Sequence, residues 1–271
     1  MRTIVHLSDL HFGRVDPALL DPLAAAVVAA RPDVVAVSGD LTQRARSNQF
    51  REARAFLDRL PTPQIVVPGN HDVPFYDIVR RFAAPLARFR RHVTPELVPF
   101  YRDDEIAIIG LNTARSLTFK GGRINEEQVA LAATRFSRLD ASIQRIVVTH
   151  HPFDLPTQGD EGDLVGRARM AMQAFAGCGV DLFLSGHMHQ THASSTAARY
   201  RIDGFSALVV QAGTATSTRG RGESNAFNVI RVAQPEVAID TWSWQPAAMT
   251  FSLAQTTVFR RERAGWSRGQ G

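Results

Sequence analysis

The stretch "TIVHLSDLHFGR", Thr3 to Arg14, runs a short apolar segment straight into an aspartate and a histidine two residues apart. Near-continuous hydrophobicity of this kind suits a strand buried on both faces. A strand that ends in a charge and an imidazole raises the question of what those groups serve.

The pattern recurs downstream. "DVVAVS" (33–38), "QIVVP" (64–68), "IAIIGL" (106–111), "RIVVTH" (145–150) and "DLFLS" (181–185) read as further strands. Helical spacing occupies 17–30, 47–60, 76–92, 125–139 and 167–176, with Asn125 and Gln128 placed for a capping-box start. The first half is therefore strand, helix, strand, helix, strand. After residue 195, runs such as "AFNVIRV" and "VAIDTWSW" are separated by Gly, Pro and polar clusters. They predict a mainly antiparallel part over 196–258, packed on the first sheet as a second one. The Arg- and Gly-rich end, 259–271, is expected to be a flexible tail.

With 271 residues, 44% of them apolar, the expectation is one α/β domain over 1–258. The first apolar run follows only Met1 and Arg2, contains His6 and runs into charge, so it reads as neither signal peptide nor membrane span. Cys178 is the single cysteine, which excludes an internal disulfide or a thiolate metal cluster within one chain and points to a reducing, cytoplasmic setting. The net charge of +5 rests on arginine, Lys120 being the only lysine, and it permits binding to phosphates, nucleic acid or an anionic membrane.

Functional groups in open α/β sheets collect where strands end. Asp9 and His11 follow the first strand, Asp40 sits in "SGDLT", and Asn70 and His71 sit in "PGNHD". His150 and His151 lie in "VVTHHPF", and His187 and His189 in "LSGHMHQTH". With Met188 between them, an extended loop would aim both imidazoles to one side and Met188 away. Gly39, Gly69 and Gly186 each precede a candidate ligand, where a sharp turn or a close approach would exclude a Cβ.

Taken in order, "DLH", "GDLT", "GNHD", "THHP" and "GHMH" resemble the signature of the calcineurin-like metallophosphoesterases, and together they cover roughly residues 1–192. Each piece is weak alone; five in the family's order and spacing are specific. The resemblance implies a four-layer αββα sandwich of two mixed sheets flanked by helices. It also implies two metal ions, one held by Asp9, His11, Asp40 and His189, the other by Asp40, Asn70, His150 and His187, with Asp40 bridging. A dinuclear centre about 3.5 to 4 Å across needs such a set of hard and borderline donors. Mn, Fe, Zn or Co would suit it, Mn or an Fe/Mn pair being preferred. His71 would face the scissile phosphate as catalytic acid or charge stabiliser, and Asp72 would orient a histidine. His150 is preferred to its neighbour His151 as the ligand.

"SDLHFG", "GNHDVP" and "HHP" further resemble the bacterial class III cyclic nucleotide phosphodiesterases and glycerophosphodiesterases, which implies a small phosphodiester substrate such as 3',5'-cyclic AMP. A nuclease or a nucleotide-lipid hydrolase of the same superfamily is the alternative, a non-enzymatic scaffold the least favoured, and a homodimer is compatible with the family. His192 and Asn112 are secondary candidates for the site's rim, while His6 and His92 read as packed or surface residues. Arginines 80, 81, 88, 90 and 91 read as a solvated helix face that could otherwise meet an anion. Phe75, Phe82, Leu86 and Phe89, at helical spacing, read as core before they read as an apolar groove.

Overall fold

The computed structural model describes residues 1–156, 160–218, 222–263 and 265–269. The chain order is β1 (Arg2–Leu7), α1 (Pro17–Ala29), β2 (Val34–Ser38), α2 (Ser47–Leu57), β3 (Gln64–Val67), α3 (Ile78–Ala83) and α4 (Ala87–His92). There follow β4 (Phe100–Arg102), β5 (Ile106–Gly110), α5 (Glu126–Phe136), β6 (Gln144–Val148), α6 (Ala168–Gly177) and β7 (Leu182–Ser185). The last strands are β8 (His192–Ser195), β9 (Leu208–Gln211), β10 (Ala226–Ala233), β11 (Glu236–Gln245), β12 (Thr250–Glu262) and β13 (Gly265–Arg268).

Among the described residues these strands form a seven-stranded sheet, β13-β12-β11-β10-β1-β2-β3, and a six-stranded sheet, β4-β5-β6-β7-β9-β8. Both are mixed: β1, β2 and β3 run parallel, as do β5, β6, β7 and β9, while the outer pairs are antiparallel.

Period-two alternation assigns each strand residue to a layer. Ile4, Val34 and Ala36 face Ile108, Ile146 and Leu182 between the sheets. Val5, Val35 and Val37 pack outward on Leu23 of α1, Phe50 of α2 and Phe89 of α4. Ile109, Val147 and Phe183 pack on Phe136 of α5 and Phe175 of α6. The result is the four-layer αββα sandwich, and Asn125 and Gln128 cap α5 reciprocally as their spacing requires.

Three expectations need correction. The strands after residue 195 build no sheet of their own: β10–β13 extend the first sheet from the edge of β1, and β9, parallel to β7, extends the second, with β8 at its edge. A strand read from pattern alone carries no information about which edge it joins. The segment 259–271, expected as a tail, instead completes β12 and supplies β13, because Phe259 and Trp266 are both buried between the sheets; Ala264, Gln270 and Gly271 lie outside the described residues. The predicted helix over 76–92 is two short helices, since Pro85 has no N–H to continue the first and clashes with the preceding turn.

Arg81 overturns the solvated-face reading at its position. It is 1% exposed, and its guanidinium donates to the carbonyls of Ser116 (2.7 Å), Pro74 (2.8 Å) and Thr118 (2.6 Å). Arg80 and Arg88 are tied to Asp77, and Arg88 also donates to Ala45 O at 2.9 Å. Arg90 and Arg91 do remain exposed. Arg81→Ala is expected to cost about 2 to 4 kcal/mol of stability, since it orphans three carbonyls that share one cation. The loss should appear as a lower denaturation midpoint, which Arg81→Lys restores only in part because an ammonium lacks the planar fork.

Candidate metal centre

The parallel strands β1, β2, β3, β6 and β7 all deliver their C-terminal ends to one rim, where the loop of each carries the polar residues singled out above. Asp9, His11, Asp40, His150, His187 and His189 are all buried. Asp9, His11, Asp40, His187 and His189 have positive φ, between 51° and 72°. Non-glycine residues avoid this left-handed region, and when several gather at one place the surrounding structure must hold them there. Two braces are visible at the first loop: Thr214 donates its hydroxyl to Asp9 O at 2.8 Å and Thr216 donates to Leu10 O at 2.7 Å.

Each central carboxylate has one oxygen fixed by protein donors and one turned to imidazoles. Asp9 Oδ2 accepts from Ser8 Oγ (2.6 Å) and His187 N (3.0 Å), while Oδ1 lies 3.2 Å from His189 Nε2 and 3.5 Å from His11 Nε2. Asp40 Oδ1 accepts from His71 N at 2.8 Å, while Oδ2 lies between His11 Nε2 (3.7 Å) and His150 Nε2 (3.5 Å). Asn70 Oδ1 is 3.1 Å from His150 Nε2. Burial alone would favour protonated acids. The facing histidines outweigh it, holding Asp9 well below the usual carboxylate range and lowering Asp40 as well.

These facts fit a metal centre. Groups Asp9/His11/His189 and Asp9/Asp40/His150 each bring their ligand atoms within 4.8 Å of one another, as does His150/His151/His187. Asp9 Oδ1, buried and facing two imidazole nitrogens, accepts no hydrogen bond. Such an orphan is costly unless a cation meets it. Burial also lowers the His187 pKa, which favours the neutral imidazole that a metal requires.

His151 stands apart. Its Nδ1 meets Thr113 Oγ1 at 2.8 Å and its Nε2 meets Lys120 O at 3.0 Å. A carbonyl can only accept, so Nε2 carries the hydrogen and Nδ1 accepts from the threonine. Burial, then His150 and His187, hold the ring neutral, and both of its nitrogens are engaged by protein groups.

Other expectations fare differently. The His187-Met188-His189 segment is not extended: both histidines adopt left-handed φ, yet both imidazoles still line one cavity and Met188 is buried. The hydrogen bonds of Asp72 run to other loops. It accepts from Leu41 N, Thr42 N, Thr42 Oγ1 and Gly69 N, pinning the second and third ligand loops together, while burial and Asp40 push its carboxyl up to about 7. The nitrogen His71 Nδ1 is held instead by Gln43 O at 3.0 Å. His192 lies on β8 beside Ser194, away from the centre, and Asn112 caps its own loop through Ala114 N. His6 is buried against Ser38, and His92 stacks near Phe50.

The cavity over the centre, about 270 Å3, is lined by Asp40, Asn70, His71, His187 and His189 together with Gln43, Arg44, Phe75, Phe119 and Lys120. Asp163 meets two of these lining residues, 3.8 Å from His187 Nε2 and 3.3 Å from Lys120 Nζ; its contact with His187 lowers its pKa to about 2. Neither Asp163 nor Lys120 belongs to a motif, so no sequence signal pointed to them.

The glycines before the ligands are close-approach positions. A Cβ on Gly186 would stand 1.7 Å from Ser8 Oγ and 2.5 Å from Asp9 Oδ2, and one on Gly69 would stand 2.1 Å from Asp40 Oδ1. Gly186→Ala is therefore expected to displace Asp9 and reduce bound metal in elemental analysis, with the fold retained by circular dichroism.

The comparisons with known proteins agree with this geometry. Over 80 residues the chain is 38% identical to glycerophosphodiester phosphodiesterase GpdQ of Enterobacter lignolyticus (strain SCF1), a match covering 26% of this chain and 29% of that protein. Among solved structures, it resembles a dimetal phosphatase from Danio rerio with TM-score 0.67 at 14% identity, covering 98% of this chain and 99% of that one. It resembles a purple acid phosphatase from yellow lupin (Lupinus luteus) seeds with TM-score 0.71 at 11% identity, covering 95% of this chain and 53% of that one. These two likenesses establish the fold. A sequence model of calcineurin-like phosphoesterases matches residues 2–191, the stretch that carries all five strand-end motifs, so the chain belongs to the calcineurin-like phosphoesterase family.

Proposed function

We propose that the protein is a metal-dependent phosphodiesterase acting on a small phosphodiester. The observation that carries this is the position of Asp40 Oδ2 between two imidazole groups, as a carboxylate shared by two cations would stand. Asp9, His11, Asp40 and His189 would hold one ion, and Asp40, Asn70, His150 and His187 the other. Donors without thiolate suit Mn2+ or an Fe/Mn pair, and equally Zn or Co. Such a pair supplies Lewis acidity toward water and the phosphoryl oxygens.

The chain's own residues supply the rest. In both the imidazolium and the neutral tautomer that fits, Nδ1–H of His71 donates to Gln43 O, so Nε2 is the atom through which a proton reaches the departing alkoxide. The left-handed loops keep the donors at fixed separations, so little reorganisation accompanies the charge change at phosphorus.

The relative named as a glycerophosphodiester phosphodiesterase supports a diester, and 3',5'-cyclic AMP is the first to assay. The nuclease alternative draws less support from this segment, where Arg80, Arg81 and Arg88 are engaged by protein groups while Arg90 and Arg91 stay exposed. No helix among the described residues is long and apolar enough to cross a membrane, and the lone, partly buried Cys178 supports a reducing, cytoplasmic setting. The test is the Mn2+-dependent rate on 3',5'-cyclic AMP against bis(p-nitrophenyl) phosphate. Chelator-sensitive hydrolysis of both is expected; turnover that survives exhaustive chelation would refute the metal-dependent reading.

A further inference from the structure

Helix α3 is inside out. Its charged Arg81 is buried against three carbonyls, while Ile78, Val79 and Phe82 point to solvent, Val79 with 81% of its surface exposed. Ile78 and Phe82 are four residues apart and Val79 and Phe82 three apart, so they share one helical face. Arg81 also fixes the neighbouring loop: its guanidinium carbon stands 4.2 Å from the Phe119 ring centroid, and on that loop Leu117 is 84% exposed. Large apolar side chains gathered in this way on two adjoining segments mark a surface that meets something apolar.

This surface is continuous with the metal centre. Phe75 and Phe119 touch, with ring centroids 5.3 Å apart, and both line the cavity beside Asn70 and His71. At the junction stand two cations. The Arg44 guanidinium lies over the Phe75 and Tyr76 rings, 5.4 and 5.6 Å from their centroids, with no carboxylate partner among the described residues; Lys120 is shared with Asp163. Gln43, also lining the cavity, keeps a buried Oε1 without a hydrogen-bond donor. Moving outward from the centre, the surface passes from metal ligands to cations and an amide, then to aromatic rings, then to bare aliphatic and aromatic groups.

We infer that this gradient receives an amphiphilic phosphoester: its phosphate at the centre, a polar head that presents an anionic oxygen to Arg44 and an O–H or N–H donor to Gln43 Oε1, and its hydrocarbon portion along Phe75, Phe119, Val79 and Phe82. The inference rests on the phosphodiesterase reading and narrows its substrate class. A purely polar diester would leave the exposed face of α3 uncovered in the complex, whereas an alkyl chain covers it and removes that surface from water.

A series of alkyl p-nitrophenyl phosphodiesters tests this, because methyl, butyl and octyl esters release the same p-nitrophenolate and differ only in the chain that remains. A fully buried CH2 is worth ~0.8 kcal/mol, or about fourfold in kcat/KM. Partial burial is expected to give a rise of at least about tenfold from methyl to octyl below the micellar concentration. In Val79→Ser/Phe82→Ser the octyl-to-methyl ratio is expected to fall to less than about threefold. A wild-type ratio near one, or a ratio unchanged in the variant, would overturn the inference while leaving the phosphodiesterase reading intact. If no ester is turned over with any metal, that reading fails instead. Calorimetric binding of octyl phosphate against methyl phosphate then still decides the surface: tighter octyl binding that the double variant loses supports it, and equal affinities overturn it. Sedimentation adds a competing outcome, since a dimer that dissociates in the double variant, together with a flat ester series, would assign the face to a second copy of the chain.

Discussion

Asp40→Ala is expected to remove at least one metal equivalent and to lower kcat/KM on the order of a thousandfold or more. The expectation follows from one oxygen atom. Oδ2 stands between His11 and His150, so its loss opens both halves of the centre, and a metal worth several kcal/mol to the transition state costs tenfold in rate for each 1.4 kcal/mol lost. Oδ1 has a second task, accepting the His71 N–H, so the variant also loosens the loop that carries Asn70 and His71. Elemental analysis of purified wild type and variant separates the two contributions: two metals retained in Asp40→Ala would rule out the bridging assignment, whatever happens to the rate.

His71→Ala should show the converse. Alanine keeps the backbone N–H that anchors Asp40, and Nδ1 of His71 is already committed to Gln43 O, so the ring is not needed to hold the centre together. Metal content is expected to persist while kcat falls about a hundredfold or more, the usual cost of losing a general acid. Unchanged kcat would remove His71 from the chemistry; lost metal would make it a ligand instead.

The fold was largely legible because near-continuous apolar runs at β1, β2, β5, β6 and β7 announce strands buried on both faces, and the helical spacing between them announces the layers that cover them. What pattern could not supply was pairing. Phe227 and Val229 of β10 announce a strand but not that it joins the edge of β1, and Trp266 looked like part of a frayed end because its partner surface, between the two sheets, exists only after folding. At the centre, the residues of the five motifs meet at one rim as their strand-end positions suggest. Among the missed residues, Lys120 reaches the cavity from a loop whose course depends on Arg81 and Thr113, and Arg44 from a loop held by Gln49 and Arg88, while Asp163 meets His187 and Lys120 from a separate turn; such long-range contacts leave no local periodicity. Asp72 was assigned to a histidine because it follows one in sequence; in space its neighbours are the backbone amides of two other loops, and burial among them fixes its role.

The proposed chemistry requires that these buried donors hold two cations that share Asp40. An anomalous-difference map from crystals of Mn2+-loaded protein answers this directly. Two peaks about 3.5 to 4 Å apart are expected, one on each side of Asp40 Oδ2, the first beside His11 and His189 and the second beside Asn70 and His150. A single peak, or a pair that leaves Asp40 outside its coordination, would contradict the dinuclear centre and with it the proposed chemistry.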